Sequence, residues 1–235
     1  MNRDRYAAAD SAGAMPPAAI LRMILAALGA TAVIGLAAEA VQASIEYGRL
    51  VADPIYLYGW DAPRGDGRPV IVIPGFLGGD GYLETLRGWL GRIGYRPFES
   101  GLRRNTGFNA ALLAEIEQRT VAAARAVGGP VALVGHSLGG VHARAIARRR
   151  PELVSDVIAL GSPLGLDGGP IPPSIRFTAI YTRGDRIVRY PRALASGAGA
   201  RNVEAGGSHI GMAFSAEVYR AIAFALAAGR PPASA

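Results

Sequence analysis

Val131-Ala132-Leu133-Val134-Gly135-His136-Ser137-Leu138-Gly139-Gly140 joins an apolar run to a helical pattern, and its reading decides the fold. Four apolar residues in a row, with no polar alternation, describe a strand buried on both faces, as in a parallel sheet covered by helices. From Leu138 to Arg150 the pattern is helical. Between the two stands Gly-x-Ser-x-Gly. In a chain with 32 glycines that pentapeptide is a weak signal alone, and its setting gives it meaning. A sharp strand-to-helix turn holds Ser137 at its apex, and a side chain at Gly135 or Gly139 would collide with neighbouring elements. The helix that follows directs unpaired backbone N–H groups at the apex, which favours a developing negative charge.

Outward from this segment, short apolar runs rich in β-branched residues alternate with longer helical patterns. Strands are predicted at Val70 to Ile73, Tyr95 to Phe98, Val131 to Val134, Val157 to Leu160, Thr178 to Tyr181 and, weakly, near Asn202 to Val203. Helices are predicted at Tyr82 to Ile93, Asn109 to Val127, Leu138 to Arg150 and Ser215 to Ala227. This alternation predicts an α/β fold with a doubly wound, mostly parallel sheet.

A Ser hydroxyl is a weak nucleophile until a base accepts its proton and an acid orients that base. The chain has three His residues. His136 adjoins Ser137 on the turn and should point away from it, and His142 lies within the following helix. His209, in a Gly-rich loop before the last helix, is left as the base. Acids between Ser137 and His209 are Glu152, Asp156, Asp167, Asp185 and Glu204. Asp185 directly follows a predicted strand, at the carboxyl edge where parallel sheets place their sites, and is the chosen partner, with Asp167 in reserve. Backbone N–H groups of Leu138 and of Phe76, in the loop after the first core strand, are the expected donors to an oxyanion. No phosphate-binding glycine motif accompanies that loop.

Composition narrows the chemistry further. There are no cysteines, which excludes disulfides and thiol nucleophiles but leaves the compartment open. All 25 basic residues are Arg, so Schiff-base and Ser-Lys mechanisms are excluded. With those residues dispersed and no aromatic platform, nucleic acid is not an expected partner. The net charge of +7 suits an anionic membrane surface instead.

At the amino end, residues 1–50 are expected to form an extension with an apolar helix at about 18–43, followed by a linker at 51–69 and the main domain at 70–235. The linker reading rests on Pro, Gly and Asp, above all in Asp61-Ala-Pro-Arg-Gly-Asp-Gly67. Met23 to Ala38 holds 16 uncharged residues, about 24 Å of helix against a hydrocarbon core of about 30 Å. Membrane association through this helix is the expectation. Export after cleavage at Ala38-Glu39-Ala40, or a helix packed on a cytoplasmic domain, are the alternatives.

Taken in order, Ile73-Pro-Gly-Phe-Leu-Gly78, Gly135-His-Ser-Leu-Gly-Gly140, Arg149-Arg-Pro-Glu-Leu-Val154 with Ala159-Leu-Gly-Ser-Pro163, Gly184-Asp185 and Ser208-His209 resemble the capless bacterial esterase and lipase branch of the α/β-hydrolases. The resemblance covers roughly Val70 to Ala228. It implies hydrolysis of a small-molecule or lipid carboxylic ester through an acyl-enzyme, with no cofactor, while the strands that precede the first core strand in larger members are not evident here, so a sheet reduced to about six strands is expected. An acyltransferase using the same residues, or a catalytically silent membrane-tethered binding module, are the rival expectations. Pro74-Gly75 stands where the family often has His-Gly, and no Asp pair suggests a calcium site. Only 14 residues separate Pro163 from Thr178, too few for a helical lid, so the cleft is expected to be open.

Overall fold

The computed structural model describes residues 30–166, 170–197 and 199–228. Its strands are β1 (Pro69–Ile73), β2 (Arg96–Glu99), β3 (Val131–His136), β4 (Val154–Leu160), β5 (Arg176–Tyr181) and β6 (Ala200–Glu204). They form one six-stranded sheet in the order β2-β1-β3-β4-β5-β6, and every neighbouring pair is parallel. The helices are α1 (Ala30–Ala52), α2 (Pro54–Tyr58), α3 (Glu84–Arg92), α4 (Ala110–Val127), α5 (Leu138–Arg149), α6 (Tyr190–Ala193) and α7 (Ala216–Ala227).

Strand alternation divides the core into two layers. Val70, Val72 and Val134 pack with residues of α3 and α7, while Ile71, Ile73 and Leu133 pack with residues of α4 and α5. The edges carry charge and proline: Arg96, Pro97 and Glu99 in β2, Arg201 and Glu204 in β6. Such edges discourage further strand pairing.

After β1 the chain moves outward to β2, then returns across β1 to form β3. The strand order therefore reverses between β1 and β3, so the helices that follow these two strands, α3 and α5, pack on opposite faces of the sheet. Ile73 and Gly135 are register partners at the carboxyl ends of these strands, which brings the loop after β1 beside the turn at Ser137.

The amino-terminal segment departs from expectation. The first part of the helix expected at 18–43 lies outside the described residues, and α1 runs on to Ala52. Leu50 and Ile55 are fully buried in the same cluster as Trp89, whose indole N–H donates to Ile55 O at 2.8 Å. The stretch expected as a linker thus contains α2. Its Pro, Asp and Gly are caps: Asp53 accepts from Ile55 N at 2.9 Å, Pro54 opens the helix, and Gly59 closes it in the left-handed region at φ 67°. Among the described residues no helix is long and apolar enough to cross a membrane.

Because Leu50 is a core residue, Leu50→Ala is expected to cost about 2–5 kcal/mol of stability, the usual range for a buried Leu truncation. Urea unfolding measures it, and a loss below about 0.5 kcal/mol, as at a neutral surface position, would mean that α1 does not share the core.

Candidate active site

Ser137 lies between the end of β3 and the start of α5 with φ 53° and ψ −121°, a conformation that residues with a Cβ rarely adopt. The flanking sequence makes the turn sterically feasible. A Cβ at Gly135 would fall on the backbone of Gly139, and one at Gly139 would fall on the carbonyl of Ile73. Ser137 N–H donates to Leu160 O at 2.8 Å, fixing the turn against the end of β4.

The loop after β1 covers the other side. A Cβ built on Gly75 would sit 3.0 Å from Ser137 Cβ, so Pro74-Gly75-Phe76 runs directly past the serine. Buried Asn105 staples this loop, with its side-chain amide donating to Pro74 O at 2.9 Å and its backbone N–H to Gly78 O at 2.7 Å. Its carbonyl accepts from Leu77 N at 2.7 Å, and Leu77 is held at φ 64°. Phe76 and Leu138, the two residues expected to supply N–H donors, lie on the loop after β1 and at the first position of α5, which meet here.

Asp185 follows β5 and His209 follows β6, and the two meet in a 2.6 Å hydrogen bond between His209 Nδ1 and Asp185 Oδ2. Both residues are buried. The second carboxylate oxygen accepts from Ile187 N at 2.8 Å and Val188 N at 2.6 Å, so the loop itself aims the carboxylate. A carboxylate only accepts, so Nδ1 carries the proton and Nε2 is left as the basic nitrogen. Gly161, at the end of β4 with φ 52°, clears the space: a Cβ there would lie 3.1 Å from Asp185 Oδ2 and 3.3 Å from His209 Nδ1.

His136 is expected to point away from Ser137, and its role in the site was not foreseen. Its side chain reaches the His209 loop, with Nε2 2.8 Å from His209 O and the two imidazole centroids 4.9 Å apart. A carbonyl can only accept, so His136 Nε2 is a donor. His142 is buried in α5, with Nδ1 2.9 Å from Leu138 O.

The other acids lie elsewhere. Glu152 pairs with Arg150, and Glu204 with Arg183. Asp156, near the start of β4, takes a two-pronged contact from Arg176 at 2.7 Å for each bond, toward the amino end of the sheet. Asp167 lies outside the described residues. Among the described residues there is no cluster of three or more His, Asp and Glu that could hold a metal.

Sequence reading missed the roles of Asn105 and His136, and those of two buried acids in α1. Glu46 accepts from Ser208 N at 2.9 Å and from Ser208 Oγ at 2.8 Å, and Glu39 accepts from Ile210 N at 3.3 Å. A signal was present, since residues 39, 43, 46 and 50 share one helical face.

No protein-family model matches the sequence, and no curated protein does. Solved structures do resemble it. Alpha/beta hydrolase domain-containing protein 10 from mouse superposes with a TM-score of 0.51 at 18% identity, covering 68% of this chain and 89% of that one. The thioesterase domain from the curacin biosynthetic pathway gives 0.53 at 16% identity, over 72% and 93%. A pyrethroid hydrolase, PytH, gives 0.54 at 16% identity, over 71% and 99%. The order of strands, the turn at Ser137 and these likenesses agree: the chain has the α/β-hydrolase fold.

Proposed function

We propose that the protein is a serine hydrolase that cleaves carboxylic esters through an acyl-enzyme. The observation that carries this reading is the buried 2.6 Å bond between Asp185 and His209 at the same sheet edge as the turn bearing Ser137. His209 Nε2 takes the proton of Ser137 Oγ as that oxygen attacks the ester carbonyl, and Asp185 stabilises the imidazolium. The N–H groups of Phe76 and Leu138 hold the oxyanion. As the tetrahedral intermediate collapses, the proton passes from His209 to the leaving alcohol. Water then attacks the acyl-enzyme by the same steps, releasing the acid and restoring Ser137. The residues require no cofactor for this chemistry, and the short β4–β5 connection suits a small-molecule or lipid ester entering an open cleft.

Hydrolases and a thioesterase among the structural neighbours support this class of reaction. An acyltransferase would differ only in the acceptor, an alcohol or amine in place of water, and product analysis with added acceptor separates the two.

A lipid surface is a further proposed contact. Leu36, Val41 and Ile45 of α1, with Leu57, Tyr58 and Trp60 around α2, are exposed large hydrophobics close together in the chain, next to an apolar stretch of sequence. An apolar helix face with neighbouring aromatic residues suits the interfacial zone of a bilayer.

His136 acts as a neutral donor in this scheme. Burial, reinforced by the charge that His209 can carry, pushes its pKa down to about 3, so it does not compete for the serine proton near neutral pH.

Ser137→Ala is expected to lower turnover of a short p-nitrophenyl ester by about 10⁶. Asp185→Asn should lower it by about 10⁴ through loss of the correct tautomer. Equal rates for wild type and Ser137→Ala would refute the mechanism. For His136 the folded pKa lies below the unfolded value, so the unfolded chain takes up a proton that the folded chain refuses. Stability should therefore fall from about pH 6.5 toward pH 3, by up to about 1.4 kcal/mol per pH unit from this group. Urea unfolding at stepped pH should show a shallower acid dependence in His136→Gln. Cosedimentation with anionic phospholipid vesicles should fall when Val41 and Ile45 are replaced by Glu, and binding that is absent or unaffected counts against the lipid contact.

A further inference from the structure

We propose that α1 belongs to the catalytic apparatus, with Glu46, seconded by Glu39, acting as a positioning residue for His209. This rests on the reading of His209 as the base.

A buried carboxylate is costly unless its oxygens are hydrogen-bonded, so its partners show what it serves. Both oxygens of Glu46 engage Ser208: Oε1 accepts from Ser208 N at 2.9 Å and Oε2 from Ser208 Oγ at 2.8 Å, while Gln42 Nε2 also donates to Oε1 at 3.2 Å. Ser208 Oγ in turn accepts from Gly211 N at 3.1 Å. Glu39 Oε2 accepts from Ile210 N at 3.3 Å. The residues immediately before and after His209 are thus tied to two acids on one helical face, which are the only acids in α1.

The loop is shaped around this carboxylate. A Cβ at Gly211 would fall on Glu46 Oε2, and a Cβ at Gly207, where φ is 125°, would lie 3.1 Å from Glu46 Oε1. His209 is then held in three ways: its flanking backbone by α1, its carbonyl by His136 at 2.8 Å, and its ring by Asp185 at 2.6 Å. Proton transfer from Ser137 requires Nε2 at hydrogen-bonding distance, and a misplacement of about 1 Å in such geometry can cost about 100-fold in rate.

The test uses the full chain, with kinetics on a short p-nitrophenyl ester well below the melting temperature, and circular dichroism to confirm folding. Folded Glu46→Ala is expected to lose about 10–100-fold in kcat, with KM within about threefold of wild type. Glu46→Gln can still accept from Ser208 N and donate to Ser208 Oγ, and should recover most of that loss. Ser208→Ala, which keeps the backbone, carries the test if Glu46→Ala does not fold, and should lower kcat several-fold. Proton NMR gives a readout independent of turnover: the low-field resonance of the His209 Nδ1 proton should persist in Ser137→Ala and broaden or vanish in Glu46→Ala. Unchanged kcat and an unchanged resonance in folded Glu46→Ala or Ser208→Ala, or no recovery with Glu46→Gln, overturns the role of Glu46. Equal activity of wild type and Ser137→Ala instead overturns the hydrolase reading, and the resonance then decides on Glu46 alone.

Discussion

The constraint on which the structure turns is the contact of β3 and α5 with the end of β1 around a serine in the left-handed region. Gly139 lies against the carbonyl of Ile73 and Gly135 against the backbone of Gly139, so neither position has room for a methyl group. That closeness presents Ser137 at the edge of the sheet instead of burying it in the strand or the helix. The strain of a non-glycine residue at φ 53° is of the order of 1–3 kcal/mol, offset by the fully buried β-strand on one side and the mostly buried helix on the other.

From that point the sheet does most of the positioning. The reversal of strand order between β1 and β3 brings Pro74-Gly75-Phe76 beside the turn, and Asn105 keeps the loop there with three hydrogen bonds. The ends of β4 and β5 supply Gly161 and Asp185, one by having no side chain and the other by having an acidic one. His209 follows the edge strand β6, where regular sheet pairing gives least support. This is the part of the site that draws on the most additional contacts: His136 on its carbonyl, Asp185 on its ring, Glu46 and Glu39 on its neighbours.

Helices α1 and α2 show why a segment read from composition can be misplaced. Asp53, Pro54 and Gly59 are turn-forming residues, and in sequence they signal a loop. The same chemistry caps a five-residue helix, and only the burial of Ile55 under Trp89 distinguishes the two outcomes. The acids were visible as well, at a spacing of seven, but a helical face with two carboxylates reads as solvent-facing until something is found packed against it.

What the sequence by itself determined was local. The parallel strands, the last of them only weakly, the helices α3, α4, α5 and α7 and the strand-turn-helix at Ser137 are written in periodicity and in glycine placement within a few residues, so they were legible without coordinates. Asp185 and His209 could be chosen from their places after predicted strands, but the buried contact between them, and what holds the loop that carries His209, were decided by tertiary structure. The bonds concerned join residues 24, 73 and 162 positions apart, and no local pattern encodes a partner at such a distance. Burial makes those pairings necessary, because a carboxylate or an imidazole taken out of water must find its hydrogen bonds in whatever part of the chain the fold brings to it.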